Sequence, residues 1–150
     1  MNIYPDTSFL IALRFFDDVH HISATEYYEE KGEETFLWSP WHRLEVSNTL
    51  RQLARGEQPV LREADARRVI HRVETDVRLG YFLHMEADWR DVLRAAGEIS
   101  AANAFERSCA ATDLLHVAYA VELVSDLFVS FDDEQLELAR GAGLRVERPR

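Results

Sequence analysis

Four carboxylates, Asp6, Glu45, Asp113 and Asp132, stand at element boundaries or on a helix face where an ordinary globular domain has no need of an acid. Together they suggest a metal site. Asp113 is the sharpest of the four, opening the run ATDLLHVAYAVELV at residues 111–124. At helical spacing it points the same way as Val117, Ala120 and Val124, with Glu122 on the opposite side, so the acid is expected to face inward. The ordinary reading of an Asp in a first helical turn is that its charge suits the helix dipole and its oxygens meet free backbone N–H groups. Apolarity on nearly every side of this helix argues for more, because it implies burial. An ionised buried carboxylate is costly unless paired or metal-bound. Lys and Arg are absent from 108 to 139, which leaves a cation from outside as the natural partner.

Asp6 follows the short run Asn2 to Pro5 and precedes Phe9, Leu10, Ile11 and Leu13, so it reads as the junction of a first strand and a first helix and as a good N-cap. Asp132 repeats the arrangement: Leu127, Phe128 and Val129 form a strand, Asp132 leads into a helix from Glu134 to Arg140, and Gln135 completes a capping-box-like pattern. Taken singly, either Asp reads as a cap. Both, however, fall at the carboxyl end of an expected parallel strand, where open α/β sheets bind ligands. Glu45 lies in the helix Pro40 to Arg55, at the flank of the stripe Val46, Leu50 and Leu53. Alone it reads as solvated surface, but Arg43, Arg51 and Arg55 already occupy the far side, which leaves it at a boundary between core and cleft.

Strand-like runs at 2–5, 35–38, 81–84, 127–130 and 144–147 alternate with helical patterns, and this predicts a parallel sheet with helices on both faces. The helix from Leu61 to Arg78 turns Ala66, Val69, Ile70, Val73 and Val77 inward and most of its arginines outward, after a turn at Gly56 to Pro59. The chain has 150 residues, 47% of them hydrophobic, enough for a single domain over 1–150 with its own core. The start MNIYPDTSFL lacks the basic segment of a signal peptide and no apolar stretch reaches membrane-spanning length, so a soluble, cytoplasmic protein is expected. The single cysteine, Cys109, excludes an internal disulfide and a multi-cysteine zinc site, and its alanine neighbours suit a buried small hydrophobe. A net charge of −10 argues against non-specific attraction to nucleic acid, although residues 41–80 hold eight Arg against six acids. That helical pair suits either a phosphate backbone or an ordinary solvated face.

DTSFL at 6–10, LEVSNTLR at 44–51, RSCAATDLLHVAYA at 107–120 and LFVSFDDEQLELARGAGLRV at 127–146, in this order and spacing, resemble PIN-domain proteins, specifically toxins of the VapC type. The resemblance spans essentially the whole chain. It implies a three-layer α/β/α fold with a five-stranded, mainly parallel sheet and a Mg²⁺- or Mn²⁺-dependent endoribonuclease. Its catalytic acids would be Asp6, Glu45, Asp113 and Asp132, with Asp6 and Asp113 as the most direct metal ligands, Asp132 as ligand or water-mediated partner, and Glu45 as general base or support. Asp132 is chosen over its neighbour Asp133 because Ser130 stands two residues before it. The expected partners are RNA, a small cognate antitoxin and a second copy of the chain in a homodimer.

The chemistry is consistent with the residues. Clustered carboxylates can serve phosphodiester hydrolysis only through divalent metal, and an all-oxygen ligand set favours Mg²⁺ or Mn²⁺ over zinc. Thr7, Ser8 and Ser130 are available to orient carboxylates or to contact phosphate, although hydroxyls near helix starts are usually caps. His116, one turn beyond Asp113, reads as a packed core histidine, with support of a ligand as the alternative. Two rivals stand against this reading. A phospho-accepting receiver domain fits poorly, because the only lysine is Lys31, far from the late strand end. A PIN fold that has lost cleavage and serves as an RNA- or protein-binding module is the other, and the presence of all four acids argues against it.

Overall fold

The computed structural model describes residues 1–150. Five strands, β1 (Asn2–Pro5), β2 (Thr35–Trp38), β3 (Leu83–His84), β4 (Leu127–Val129) and β5 (Val146–Glu147), form one sheet in the order β3-β2-β1-β4-β5. Every neighbouring pair is parallel, with Ile3 opposite both Phe36 and Leu127, and Phe128 opposite Val146. Parallel strands require crossovers, which here are seven helices: α1 (Thr7–Arg14), α2 (His21–Glu30), α3 (Pro40–Leu53), α4 (Glu63–Leu79), α5 (Trp89–Asn103), α6 (Ala111–Glu122) and α7 (Asp133–Gly141).

The central strands are apolar on both faces, as a doubly covered sheet demands. Ile3, Phe36, Trp38, Leu127 and Val129 pack with α1 to α4 on one side. Tyr4, Leu37 and Phe128, one residue out of step, pack with α5, α6 and α7 on the other. The result is three layers, α/β/α. Because the chain leaves β1 toward β2 on one side and β4 lies on the other, the strand order reverses beside β1, and the carboxyl ends of β1 and β4 are the switch point at which open α/β sheets bind ligands.

Several boundaries are tighter than the sequence pattern indicates. β3 is Leu83–His84 rather than 81–84, because Phe82 turns into the core before pairing begins. β4 stops at Val129, β5 begins at Val146 and α3 ends at Leu53. Helix α6 closes at Glu122, and Val124 then adopts φ 51 and is 80% exposed, so the inward stripe ends before it. Cys109 is half-buried rather than enclosed. Helix α4 carries two buried acids that its periodicity conceals. Asp65 is held by Arg62 and Arg68, and Asp76 by Arg14 from α1 at 2.6 Å and by Arg72 at 3.1 Å. No helix is long and apolar enough to cross a membrane.

Candidate active site

Asp6 terminates β1 and caps α1: its backbone is extended (φ −82, ψ 179), and Oδ1 accepts from the Phe9 N–H at 2.9 Å. A second task accompanies the cap. Ser8 Oγ donates to both carboxylate oxygens at 2.7 and 2.9 Å, and Ser130 Oγ, beyond the end of β4, donates to Oδ2 at 2.6 Å. These hydroxyls are themselves oriented by the next loop, because the Phe131 N–H donates to Ser8 Oγ at 3.1 Å and the Asp132 N–H to Ser130 Oγ at 2.8 Å. Backbone N–H, hydroxyl and carboxylate thus run in series, and the loop bearing Asp132 is tied to Asp6. Burial pushes the Asp6 carboxyl above its ordinary value, and the bonds from Ser130, Phe9 and Ser8 hold part of that rise back.

Asp132 is exposed and caps α7, accepting from the Glu134 and Gln135 N–H groups at 2.9 and 3.3 Å. The Asp132 N–H is taken by Ser130 Oγ rather than by the Gln135 side chain, so only half of the anticipated capping box forms, and the buried Gln135 amide Nε2 has no partner. The adjacent Asp133 turns to Arg148, 3.0 Å away. For Asp6 and Asp132, cap and candidate ligand are the same side chain.

Asp113 behaves differently. It lies in the first turn of α6, but the cap position is Ala110, and no backbone N–H or side chain donates to the Asp113 carboxylate. The capping explanation therefore fails at this residue. Half-buried, it is pushed above its ordinary value first by burial, then by the negative charges of Asp132 and Glu45 and more weakly by Asp6, with His116 opposing. Acids from three other elements act on it at once.

Glu45 is partly buried, not solvated. Thr7 Oγ1 donates to Oε2 at 2.9 Å, and His116 Nε2 bonds to the same oxygen. Burial pushes Glu45 up, but the His116 hydrogen bond and charge together with the Thr7 hydroxyl outweigh it, leaving the carboxyl below its ordinary value.

Two supporting residues escaped the sequence reading. His42 is fully buried and takes the place of an acid in a capping box: Nε2–H donates to Pro5 O at 2.6 Å, while Nδ1 accepts from the Ser39 N–H at 2.9 Å. It fastens the start of α3 to the end of β1. Tyr4 meets His116 Nδ1 at 3.0 Å. A histidine three residues after Ser39-Pro40 was a usable signal for the first; nothing in the sequence pointed to the second.

No three His, Cys, Asp or Glu side chains are gathered tightly enough to form a ready-made metal cage. The donor chemistry nonetheless fits a hard divalent ion. All four acids supply oxygen, no Lys or Arg lies among residues 108–139, and Mg²⁺ is commonly held by one or two carboxylates while it keeps several waters.

A parallel five-stranded α/β/α sandwich with acids at the ends of β1 and β4 and on α3 and α6 defines a class, and the chain belongs to it: residues 3–141 match the PIN domain family. Among solved structures, VapC20 of Mycobacterium tuberculosis, a sarcin–ricin-loop-cleaving toxin, is similar at a TM-score of 0.70 and 20% identity over 98% of this chain and 99% of that one. VapBC2 from Rickettsia felis, bound to a DNA fragment from its promoter, gives 0.69 and 14% identity over the full length of both chains. VapBC-1 from nontypeable Haemophilus influenzae gives 0.66 and 13% identity over 99% and 98%. No curated protein matches by sequence. At such identities the likeness is one of fold.

Proposed function

We propose that this protein is a Mg²⁺- or Mn²⁺-dependent endoribonuclease and the toxin of a type II toxin–antitoxin pair. The observation that carries the reading is Asp113: a half-buried carboxylate without a hydrogen-bond donor, pushed up by burial and by the negative charges of Asp132, Glu45 and Asp6, in a stretch of chain without basic residues. Such an arrangement costs stability unless a cation joins it. Asp6, Asp113 and Asp132 would hold the metal, which when bound supplies charge neutralisation at the phosphodiester and a more acidic water. Asp6 is held by Ser8, Ser130 and the α1 backbone, Asp132 sits on the loop tied to those serines, and Asp113 would contribute oxygens that carry no hydrogen bond. Glu45, kept ionised by His116 and Thr7, is suited to accept a proton from an attacking water. The likeness to toxin structures crystallised as VapBC complexes supports a small antitoxin as partner, one that presents a cation to the acids.

The absence of a ready-made metal cage favours a second reading, a catalytically inactive PIN-fold module that binds RNA or protein. An RNA-cleavage assay with Mg²⁺, Mn²⁺ and EDTA separates the two. Cleavage that needs metal and vanishes in Asp113→Asn is the expected result; RNA left intact at every metal concentration, with the protein folded, selects the binding module.

A further inference from the structure

Resting on the nuclease reading, we infer that His116 is a positioning residue that fixes the Glu45 carboxylate by one oxygen and leaves the other free to act. The imidazole is 1% exposed, on the buried side of α6 among Leu114, Val117, Ala118 and Ala120. A polar ring there carries a desolvation cost that Leu or Ile would avoid, so its contacts need an explanation. They join four elements. Nδ1 meets the Tyr4 hydroxyl of β1 at 3.0 Å, and Nε2 lies 3.0 Å from Thr7 Oγ1 of α1 and bonds Glu45 of α3. The rings of Tyr4, His42 and Trp41, with centroids 5.8, 5.1 and 6.1 Å away, wall the imidazole in. It cannot swing without repacking.

Both donors to Glu45, Thr7 Oγ1 and His116 Nε2, converge on Oε2, whereas Oε1 has no protein partner. A tie serving stability alone gains nothing from this division. A carboxylate that must collect a proton does, because one oxygen is anchored and the other presented. His116 stands three residues after Asp113 on α6, so one helix supplies an acid without a hydrogen-bond donor and the residue that aims the acid of a neighbouring helix.

The test uses the full-length protein and RNA with Mn²⁺. Gln can place an amide N–H near the position of Nε2, whereas Asn reaches only as far as Nδ1. His116→Asn should lower kcat about 10- to 100-fold with KM unchanged, the range typical for loss of a ligand-orienting partner, and His116→Gln should restore most of it. In a Glu45→Gln background the Asn substitution should add little, because both changes disable the same group. Equal kcat in His116→Asn and wild type, or full additivity with Glu45→Gln, overturns the inference. A wild-type protein that cleaves no RNA overturns the nuclease reading instead, a result distinct from wild-type cleavage that His116→Asn leaves undiminished.

Discussion

Replacing Asp6 by alanine would remove the acceptor at which β1, α1 and the β4–α7 loop meet. The lost N-cap costs about 1 kcal/mol. Hydroxyl bonds to an ionised carboxylate are worth about 1.5–3 kcal/mol each. Ser8 and Ser130, already 3.4 Å apart, can partly satisfy one another, so one such bond rather than two should be counted as lost. Against this, the ionised carboxylate is itself disfavoured by burial. The net expectation for Asp6→Ala is a loss of about 2–3 kcal/mol, a fall in Tm of about 4–12 °C for a chain of this size. Asp6→Asn keeps a cap and an acceptor and should fall within about 1 kcal/mol of wild type. The pH dependence has a definite sign. A carboxyl whose folded-state pKa is raised stabilises the fold below its unfolded-state value, and that contribution disappears as pH climbs through the folded value. Asn cannot ionise, so without metal Asp6→Asn should gain on wild type between pH 4 and pH 7. Urea midpoints of the three proteins in EDTA at several pH values measure both effects. If Asp6→Ala proves as stable as Asp6→Asn, or Asp6→Asn loses ground as pH rises, the serine-clamped carboxylate does not have the energetics described.

Further expectations can be checked alongside. Mn²⁺ at about 100 times Kd should stabilise wild type by about 2.7 kcal/mol, or roughly 5–11 °C, while Asp113→Asn, having no hydrogen bond to lose, should melt at or above wild type in EDTA and lose most of that shift; equal shifts in both would remove Asp113 from the site. Asp76→Ala, which strands Arg14 against the core, should cost about 3–5 kcal/mol by urea unfolding, and a loss under 1 kcal/mol would mean that the arginine escapes to solvent. Expression in bacteria should arrest growth and a small neighbouring reading frame should relieve it; harmless expression of a protein that cleaves RNA in vitro would end the toxin reading.

The sheet was legible in the sequence because its central strands are short apolar runs that end in Asp6, Ser39 and Ser130, residues that cannot continue a buried strand. Helix α3 was legible from Pro40 and the Val46–Leu50 stripe, and so were the places of Asp6, Glu45, Asp113 and Asp132 in the fold, at strand ends and on helices. What stayed hidden was pairing across elements. Periodicity gives each residue's face on its own helix, but not that Asp76 meets Arg14, that Cys109 sits half-open, or that Tyr4 and Glu45 share one histidine. His116 reads as core because it is core. Only its three-dimensional neighbours reveal that its ring also reaches Glu45. Val124 misled because helical spacing extends past the point where the chain turns left-handed.

Both margins of the sheet, β3 and β5, are two residues long, and β4, inside it, only three. Strand addition needs a row of unpaired N–H and C=O groups, and a two-residue margin offers almost none. The molecule is therefore closed to growth in the plane of its sheet, which guards it from fibrous self-association. Any companion, a second copy included, would then meet the helices and the loops between them, through side chains rather than a sheet edge.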